Sequence, residues 1–456
     1  MSGDSDLHRS LSRRQMVMLG LGSALGTGLF LGAGSSIAIA GPAVILSYLV
    51  GGLLASAVAF ALAEMVSAQP VRGTFGTVAA RYLGPFAGFS VRWIYWFATV
   101  VAIGSEVVAA AIYLRFWWPA VPVWLGVLVF SALIVAVNLT NVRTFGTTEA
   151  VLAGVKVLAV LVFIVIGLLL IVFGLPGQAP TGVANWTAHG GFLPFGASAI
   201  WLVMAVVLFS YAGIELVAIS AAEAREPGPA VRAAMRSMMI RLGLFYLLAV
   251  AVMLAVRPWT ELSQAHGVRA SPFVAMFAAA GIPAAATITN FVVLLTALSA
   301  ANANLYAATR MLHSLGHDRL APSGLSAVTA AGQPRRAALA SAAGLLVAAG
   351  FAAYSPSGVF GVLISLAGFT VIAVWLISLA TLLVFRRDPD RGKSSTRLRG
   401  GPVTPVLAIL ALLSVYATGL YVSDMRIACL VGVPFLLLVG AVYALFFRRR
   451  TARVAS

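Results

Sequence analysis

Apolar stretches of membrane-spanning length follow one another along this chain, separated by short polar breaks. They begin near Met16, Ala43, Phe86, Val123, Val151, Phe195, Leu242, Ile282, Ala337, Val359, Val403 and Ile427. Each supplies the roughly 20 residues that cross a bilayer as a helix. Lipid offers no hydrogen-bond partner to a peptide group, so a run of this kind spans as an unbroken helix. The pattern predicts an all-α polytopic membrane protein with about twelve transmembrane helices. Further spans follow the first at once, and no small-residue cleavage site stands behind it, so it is expected to be a span and not a cleaved signal peptide.

Two of the runs are interrupted within membrane depth. The first contains Gly20-Leu21-Gly22-Ser23-Ala24-Leu25-Gly26-Thr27-Gly28, and the sixth contains Phe209-Ser210-Tyr211-Ala212-Gly213-Ile214-Glu215. A spanning helix opens only where the freed N–H and C=O groups meet protein, water or a ligand, and a pair of such breaks at corresponding places marks a transporter's binding site. The breaks lie five spans apart, an odd offset that inverts topology. The expected organisation is a tail at 1–15, a first inverted repeat at 16–173, a second at 192–385, a cytoplasmic loop at 386–402, two accessory helices at 403–447 and a tail at 448–456. The stretch 174–191, rich in Gly, Pro and Ala and without Lys or Arg, reads as an external loop.

Composition agrees with the pattern: 61% of residues are hydrophobic and 9% charged, against about 25% charged in a soluble domain. The mean hydropathy is +1.01. A formal charge of +17 suggests nucleic acid only until the charges are placed. Basic residues concentrate in the tails and alternate loops, from Arg9, Arg13 and Arg14 to Arg386, Arg387, Arg391, Lys393, Arg397 and Arg399. The opposite loops hold Arg115, Arg257, Arg269 and Arg426, and only Arg92 and Lys156 fall within spans. This bias predicts both termini in the cytoplasm, with membrane lipid and not nucleic acid as the partner of the basic charge. Cys429, the single cysteine, excludes an intramolecular disulfide.

Unwinding near Ala24–Leu25 would free carbonyls on one side and N–H groups on the other. The half-helix that starts near Gly26 suits a carboxylate, and the carbonyl ends at Ala24 and near Phe209 suit an ammonium group, so the pair fits a zwitterion. The same glycines would also permit close helix packing. Glu106, Lys156 and Glu215 lie inside spans, where ionisable groups are costly and mark function. Such groups can exchange protons during a transport cycle, or a Glu–Lys pair can simply hold the bundle together. Glu64, near the cytoplasmic end of its span, reads as solvated or as part of a gate. Asn302 and Asn304 are two residues apart and so point in different directions, one toward a cavity and the other toward a neighbouring helix. Trp93, Tyr95, Trp96, Trp117 and Trp118 read as interface anchors, and Phe209 as a gate. There is no GxxxxGK[ST] phosphate loop, the histidines His8, His189, His266, His313 and His317 form no ligand cluster, and no nucleophile sits beside a base, so neither an enzyme nor a cofactor or metal site is expected.

At these residues the chain resembles the amino acid–polyamine–organocation superfamily, and within it the bacterial amino acid permeases. The stretches that carry the resemblance are LHRSLSRRQMVMLGLGSALGTGLFLGAG at 7–34, RYLGPFAGF at 81–89, FSYAGIELVAISAAEAREP at 209–227 and LYAATRMLHSLGHDRLAP at 305–322. The resemblance implies a LeuT-like fold, a 5+5 inverted repeat plus two C-terminal helices, that imports amino acids across the bacterial inner membrane by proton symport; an amino acid/amine exchanger or a non-transporting sensor are the alternatives. It further implies that Gly26, Thr27 and Gly28 cradle the substrate carboxylate, and that Ala24, Phe209 and Ala212 offer carbonyls to its amino group. Lys156, in GVKVLAV, would stand where sodium-coupled relatives bind an ion, and Glu106 and Glu215 match glutamates typical of these permeases. Ala212 and Ile214 replace the usual Gly and Thr, which narrows the pocket toward small or medium uncharged substrates. Asn304 stands where relatives have a small residue, so it is expected, with Glu106, to tune substrate choice.

Overall fold

The computed structural model describes residues 13–69, 74–139, 142–174, 179–220, 227–264, 271–279, 284–329, 332–356, 358–394 and 396–448. Arg9, Arg72, Arg225, Arg269, His8, His266 and nearly all of both tails lie outside them. Among the described residues every regular element is helical, and nine helices are long and apolar enough to cross a membrane. Met16–Phe30 and Val123–Asn138 are shorter apolar helices, and a further span runs through 199–220 in pieces. Together they make the twelve spans that the pattern predicts.

In chain order the first span is built from Arg13–Ala24, Thr27–Phe30 and Gly32–Ala40, and the second is Val44–Ala68. The third to fifth are Pro85–Leu114, Val123–Asn138 and Val142–Phe173. The sixth comprises Ala199–Leu202, Met204–Ser210 and Glu215–Ser220. The seventh and eighth are Pro227–Val256 and Ala285–His317, the ninth Arg335–Tyr354, and the tenth to twelfth Val359–Phe385, Val403–Leu420 and Ser423–Phe447.

Burial sorts these spans into an inside and an outside. The third, eighth and tenth are 83%, 78% and 89% buried over their apolar windows, whereas the eleventh and twelfth are 33% and 11% buried. The last two are therefore a peripheral pair, with Leu407, Leu410, Leu430 and Leu437 exposed as lipid-facing surface. The two broken spans lie inside the bundle, and every residue of Thr27–Phe30 and Met204–Ser210 is buried. Broken backbone at membrane depth survives only in such a position, where protein covers it.

Some elements depart from the sequence pattern. The seventh span begins at Pro227, well before the apolar run at Leu242, because Arg232, Arg236 and Arg241 ride on a helix that continues beyond the apolar layer. Thr74–Leu83, Trp259–Ser263 and Pro272–Ala279 are short helices within connections, too short for a membrane-length window to register.

Glu64 is buried, not solvated. Arg386 grips both of its carboxylate oxygens, Nε to Oε1 at 2.9 Å and Nη2 to Oε2 at 2.6 Å, and the Leu398 N–H donates to it at 2.8 Å. Arg386 also donates to the Leu398 carbonyl at 2.7 Å, so the loop 386–402 is strapped to the end of the second span. A second set of contacts runs from Gln69 to Tyr82 at 2.8 Å and from the Tyr82 hydroxyl to Asp388 at 2.9 Å. Glu64→Ala leaves the Arg386 guanidinium largely buried without its counter-ion, which costs about 3–5 kcal/mol. Thermal unfolding in detergent micelles should show a markedly lower Tm, and an unchanged Tm would mean the strap contributes nothing.

Candidate functional site

The first break is a short run of non-helical backbone. The Leu25 N–H still donates to Leu21 at 2.9 Å, the Gly26 N–H turns back to the Ala24 carbonyl at 2.9 Å, and Gly26 is extended at φ −114° and ψ −163°. The helix restarts at Thr27, whose N–H therefore has no carbonyl within the span to bond. Glu106 of the third span fills that role: the Thr27 N–H donates to both Glu106 carboxylate oxygens at 3.2 Å. A Cβ at Gly26 would run into Glu106 Oε1, so glycine lets the carboxylate approach the helix end. A Cβ at Gly28 would lie 2.7 Å from the Ser210 Cα, which makes this one close approach between the two broken spans.

The second break comprises Tyr211, Ala212, Gly213 and Ile214. Gly213 has φ +98°, and a Cβ there would sit 2.5 Å from Ser23 Oγ and 2.9 Å from the Ser23 carbonyl carbon, so conformation and space both require glycine. Glu215 reaches back to this break: its Oε2 accepts the Gly213 N–H at 2.8 Å, and its Oε1 accepts the indole N–H of Trp375 from the tenth span. The freed carbonyls also have a partner. The Tyr246 hydroxyl of the seventh span lies 2.7 Å from the Ala24 carbonyl and 2.6 Å from the Ser210 carbonyl. A hydroxyl has one proton, so the two helix ends share the Tyr246 donor, and the Ala24 carbonyl also accepts the Gly26 N–H.

Between the breaks lies a small cavity of about 30 Å³. Ala24, Gly26, Gly28, Glu106, Phe209, Ala212, Glu215 and Asn304 line it, and Ser23, Tyr95, Thr99 and Val371 complete much of the wall. Beside it lie the N-terminus of the Thr27 half-helix, bonded to Glu106, and the Ala24 and Ser210 carbonyls, bonded to Tyr246. Such an arrangement can hold a carboxylate and an ammonium group on one small molecule.

Thr27, Asn302 and Lys156 stand apart from the cavity wall. Thr27 is buried behind it and contributes its N–H to Glu106. Asn302 accepts from the side chain of Asn138 on the fourth span, because a two-residue step on a helix turns it away from the face of Asn304. Lys156 donates to the Gly22 carbonyl at 2.5 Å, one turn before the first break. Its Nζ lies 3.8 Å from Glu149 Oε1, and Ser299 of the eighth span donates to that same oxygen at 2.7 Å. This cluster ties the first, fifth and eighth spans together.

Glu149 and Tyr246 are the residues that sequence reasoning missed. Glu149 sits in the polar stretch before the apolar run at Val151, outside the run itself, although its seven-residue spacing from Lys156 places both on one helix face. Tyr246 is one tyrosine in an apolar run, with no pattern to mark it. Three of the aromatics expected at the interface also face protein. Tyr95 lines the cavity, the Trp93 indole donates to the Leu320 carbonyl at 3.3 Å, and the Trp96 indole donates to Ser341 at 3.0 Å. The aromatic residue types suggested anchors, but helix facing decides where each ring points. Among the described residues no three His, Cys, Asp or Glu side chains group as metal ligands.

Comparison with known proteins extends these observations. The amino acid permease family model matches residues 15–456. The uncharacterized amino acid permease YtnA of Bacillus subtilis (strain 168) is 36% identical over 456 residues, covering 99% of this chain and 98% of that protein. The gamma-aminobutyric acid permease of the same organism is 32% identical, covering 99% and 96%. Its probable threonine/serine transporter YbxG is 33% identical, covering 97% and 96%. With the match running unbroken from the first span through both breaks to the final residue, this chain belongs to the amino acid permease family of polytopic membrane proteins.

Proposed function

We propose that this protein imports an amino acid across the bacterial plasma membrane by proton symport, with alternating access around the cavity between the two breaks. The family's transport of amino acids sets the reaction class. The observation that carries the finer reading is Glu106 on the Thr27 N–H. A carboxyl group already occupies the helix N-terminus that a substrate carboxylate would use, and two carboxylates at one helix end repel. Binding would therefore displace Glu106 and favour its taking up a proton. Lys156, bonded to Gly22 below the same break, would couple proton release to movement of the first span. In this reading spans one to five and six to ten form the inverted repeat, and the basic loops put both termini in the cytoplasm.

One observation favours a second role for Lys156. Glu149 stands beside it, so the two can form a fixed pair that only stabilises the bundle. The substrate reading is tested by competition: amino acid methyl esters, which lack the anion, should compete poorly with a labelled amino acid. Glu106→Gln should flatten the pH dependence of uptake, because an amide does not titrate. Esters that compete as well as free amino acids would place recognition elsewhere.

Relatives named for gamma-aminobutyrate and for threonine/serine lie at similar identity. The apolar wall of Ala98, Ala102, Ala212 and Val371, relieved by Thr99 and Asn304, suits a small or medium uncharged side chain. A lost amide contact is worth about 0.5–1.5 kcal/mol, so Asn304→Ala should weaken polar substrates roughly several-fold and admit bulkier apolar ones. A competition panel that ranks amino acids identically for both proteins would leave Asn304 a structural residue.

A further inference from the structure

A larger hollow, of about 1090 Å³, opens on the side of the membrane that carries the 386–402 loop. It lies between the second span, the seventh span and that loop. Arg232 and Arg236 enter it from the seventh span, and Arg397 and Arg399 from the loop. Among the described residues that line it, none is acidic. The loop arginines are presented by a fixed backbone, since Leu398 between them is buried, with its N–H on Glu64 and its carbonyl on Arg386.

The surface beyond the arginines is apolar. Arg232 and Arg236 are one helical turn apart, and the same four-residue step continues through Ile240, Leu244 and Leu248, which are 54%, 54% and 43% exposed. On the facing second span Ser56 and Phe60 line the hollow, and Leu53 and Leu49 stand exposed one and two turns further along. The hollow with its four guanidinium groups is thus continued along both spans by exposed apolar side chains. A soluble anion would use only the first part. A phospholipid matches both, with a phosphate for the arginines and acyl chains for the stripe.

We propose that this groove binds an anionic phospholipid of the adjacent leaflet, its phosphate held among Arg232, Arg236, Arg397 and Arg399 and its acyl chains lying along Ile240, Leu244 and Leu53. The bound lipid would bridge the seventh span to the 386–402 loop, which the Glu64–Arg386 pair already fastens to the second span. The proposal does not rest on the transport reading.

The test is thermal unfolding of the full-length protein in neutral detergent micelles titrated with dioleoyl phosphatidylglycerol, dioleoyl phosphatidylcholine, or glycerol 3-phosphate as a soluble headgroup. Phosphatidylglycerol should raise the Tm of the wild type, and the other two should not. R236Q/R397Q should weaken the apparent phosphatidylglycerol affinity about 30-fold, or roughly fivefold for each charge removed. R335Q/R336Q, an equal loss of exposed charge at the start of the ninth span, should respond as the wild type does. If the double variant does not fold, R397Q alone on the loop should show the fivefold loss. An R236Q/R397Q or R397Q protein that responds like the wild type overturns the proposal. Equal stabilisation by glycerol 3-phosphate also overturns it, by making the hollow a site for a free anion.

Discussion

Lys156→Ala is expected to abolish proton-driven accumulation of substrate. The ammonium group holds the Gly22 carbonyl at 2.5 Å, at the end of the half-helix that leads into the first break. It is buried, and its near neighbours are the Glu149 carboxylate and, through that, Ser299. A lysine in such a place can lose its proton and let go of Gly22, which would free the first span to move. Lys156→Arg should fail as well, because a guanidinium does not deprotonate in a protein. Removing Lys156 also leaves Glu149 buried without its cation, at a cost of about 3–5 kcal/mol, so folding has to be measured beside uptake. The double variant Lys156→Met/Glu149→Gln separates the two roles. If Lys156 only balances Glu149, the double variant recovers proton-driven uptake; if Lys156 carries the coupling, the double variant folds but accumulates nothing.

Gly28→Val is expected to eliminate substrate binding, and the structure shows why the effect is large. The new Cβ would come within 2.7 Å of the Ser210 Cα and Oγ, so it pushes against the backbone of the sixth span and not against a side chain that can swing away. The two breaks would be wedged apart at the cavity wall. Overpacking of this kind costs roughly 1–3 kcal/mol, so the protein should be less stable but recoverable in detergent. Scintillation proximity binding of a labelled amino acid to purified protein reads the result. Wild-type affinity in a folded Gly28→Val protein would move the site away from the breaks.

Much of this architecture was legible in the sequence, for a physical reason. Lipid forces each span to be a long apolar run, so run length alone counted the helices. The same rule made the glycines at 20–28 and the polar atoms at 209–215 stand out, and the helices stop at Ala24 and Ser210, within those stretches. Facing was not legible. Tyr95 and Trp96 are adjacent residues of one type, yet one lines the cavity and the other bonds Ser341 of the ninth span. Glu149 was hidden because a carboxylate among Thr147, Thr148 and Ala150 looks like loop until the helix is known to begin at Val142. The partners of the freed backbone groups were not legible either, since Glu106 and Tyr246 reach the breaks from spans that are distant in sequence. Local pattern locates where a helix must open, and tertiary packing decides what closes the opening.

Uptake of a labelled amino acid into proteoliposomes is the direct test of proton-coupled import. Purified protein is reconstituted, and uptake is followed with an inward proton gradient, with that gradient collapsed by a protonophore, with an inward sodium gradient, and with unlabelled amino acid or amine preloaded inside. Proton symport predicts accumulation above the external concentration only while the proton gradient stands, with no need for preloaded substrate. Accumulation that follows sodium, or that appears only against a preloaded amine, would contradict it.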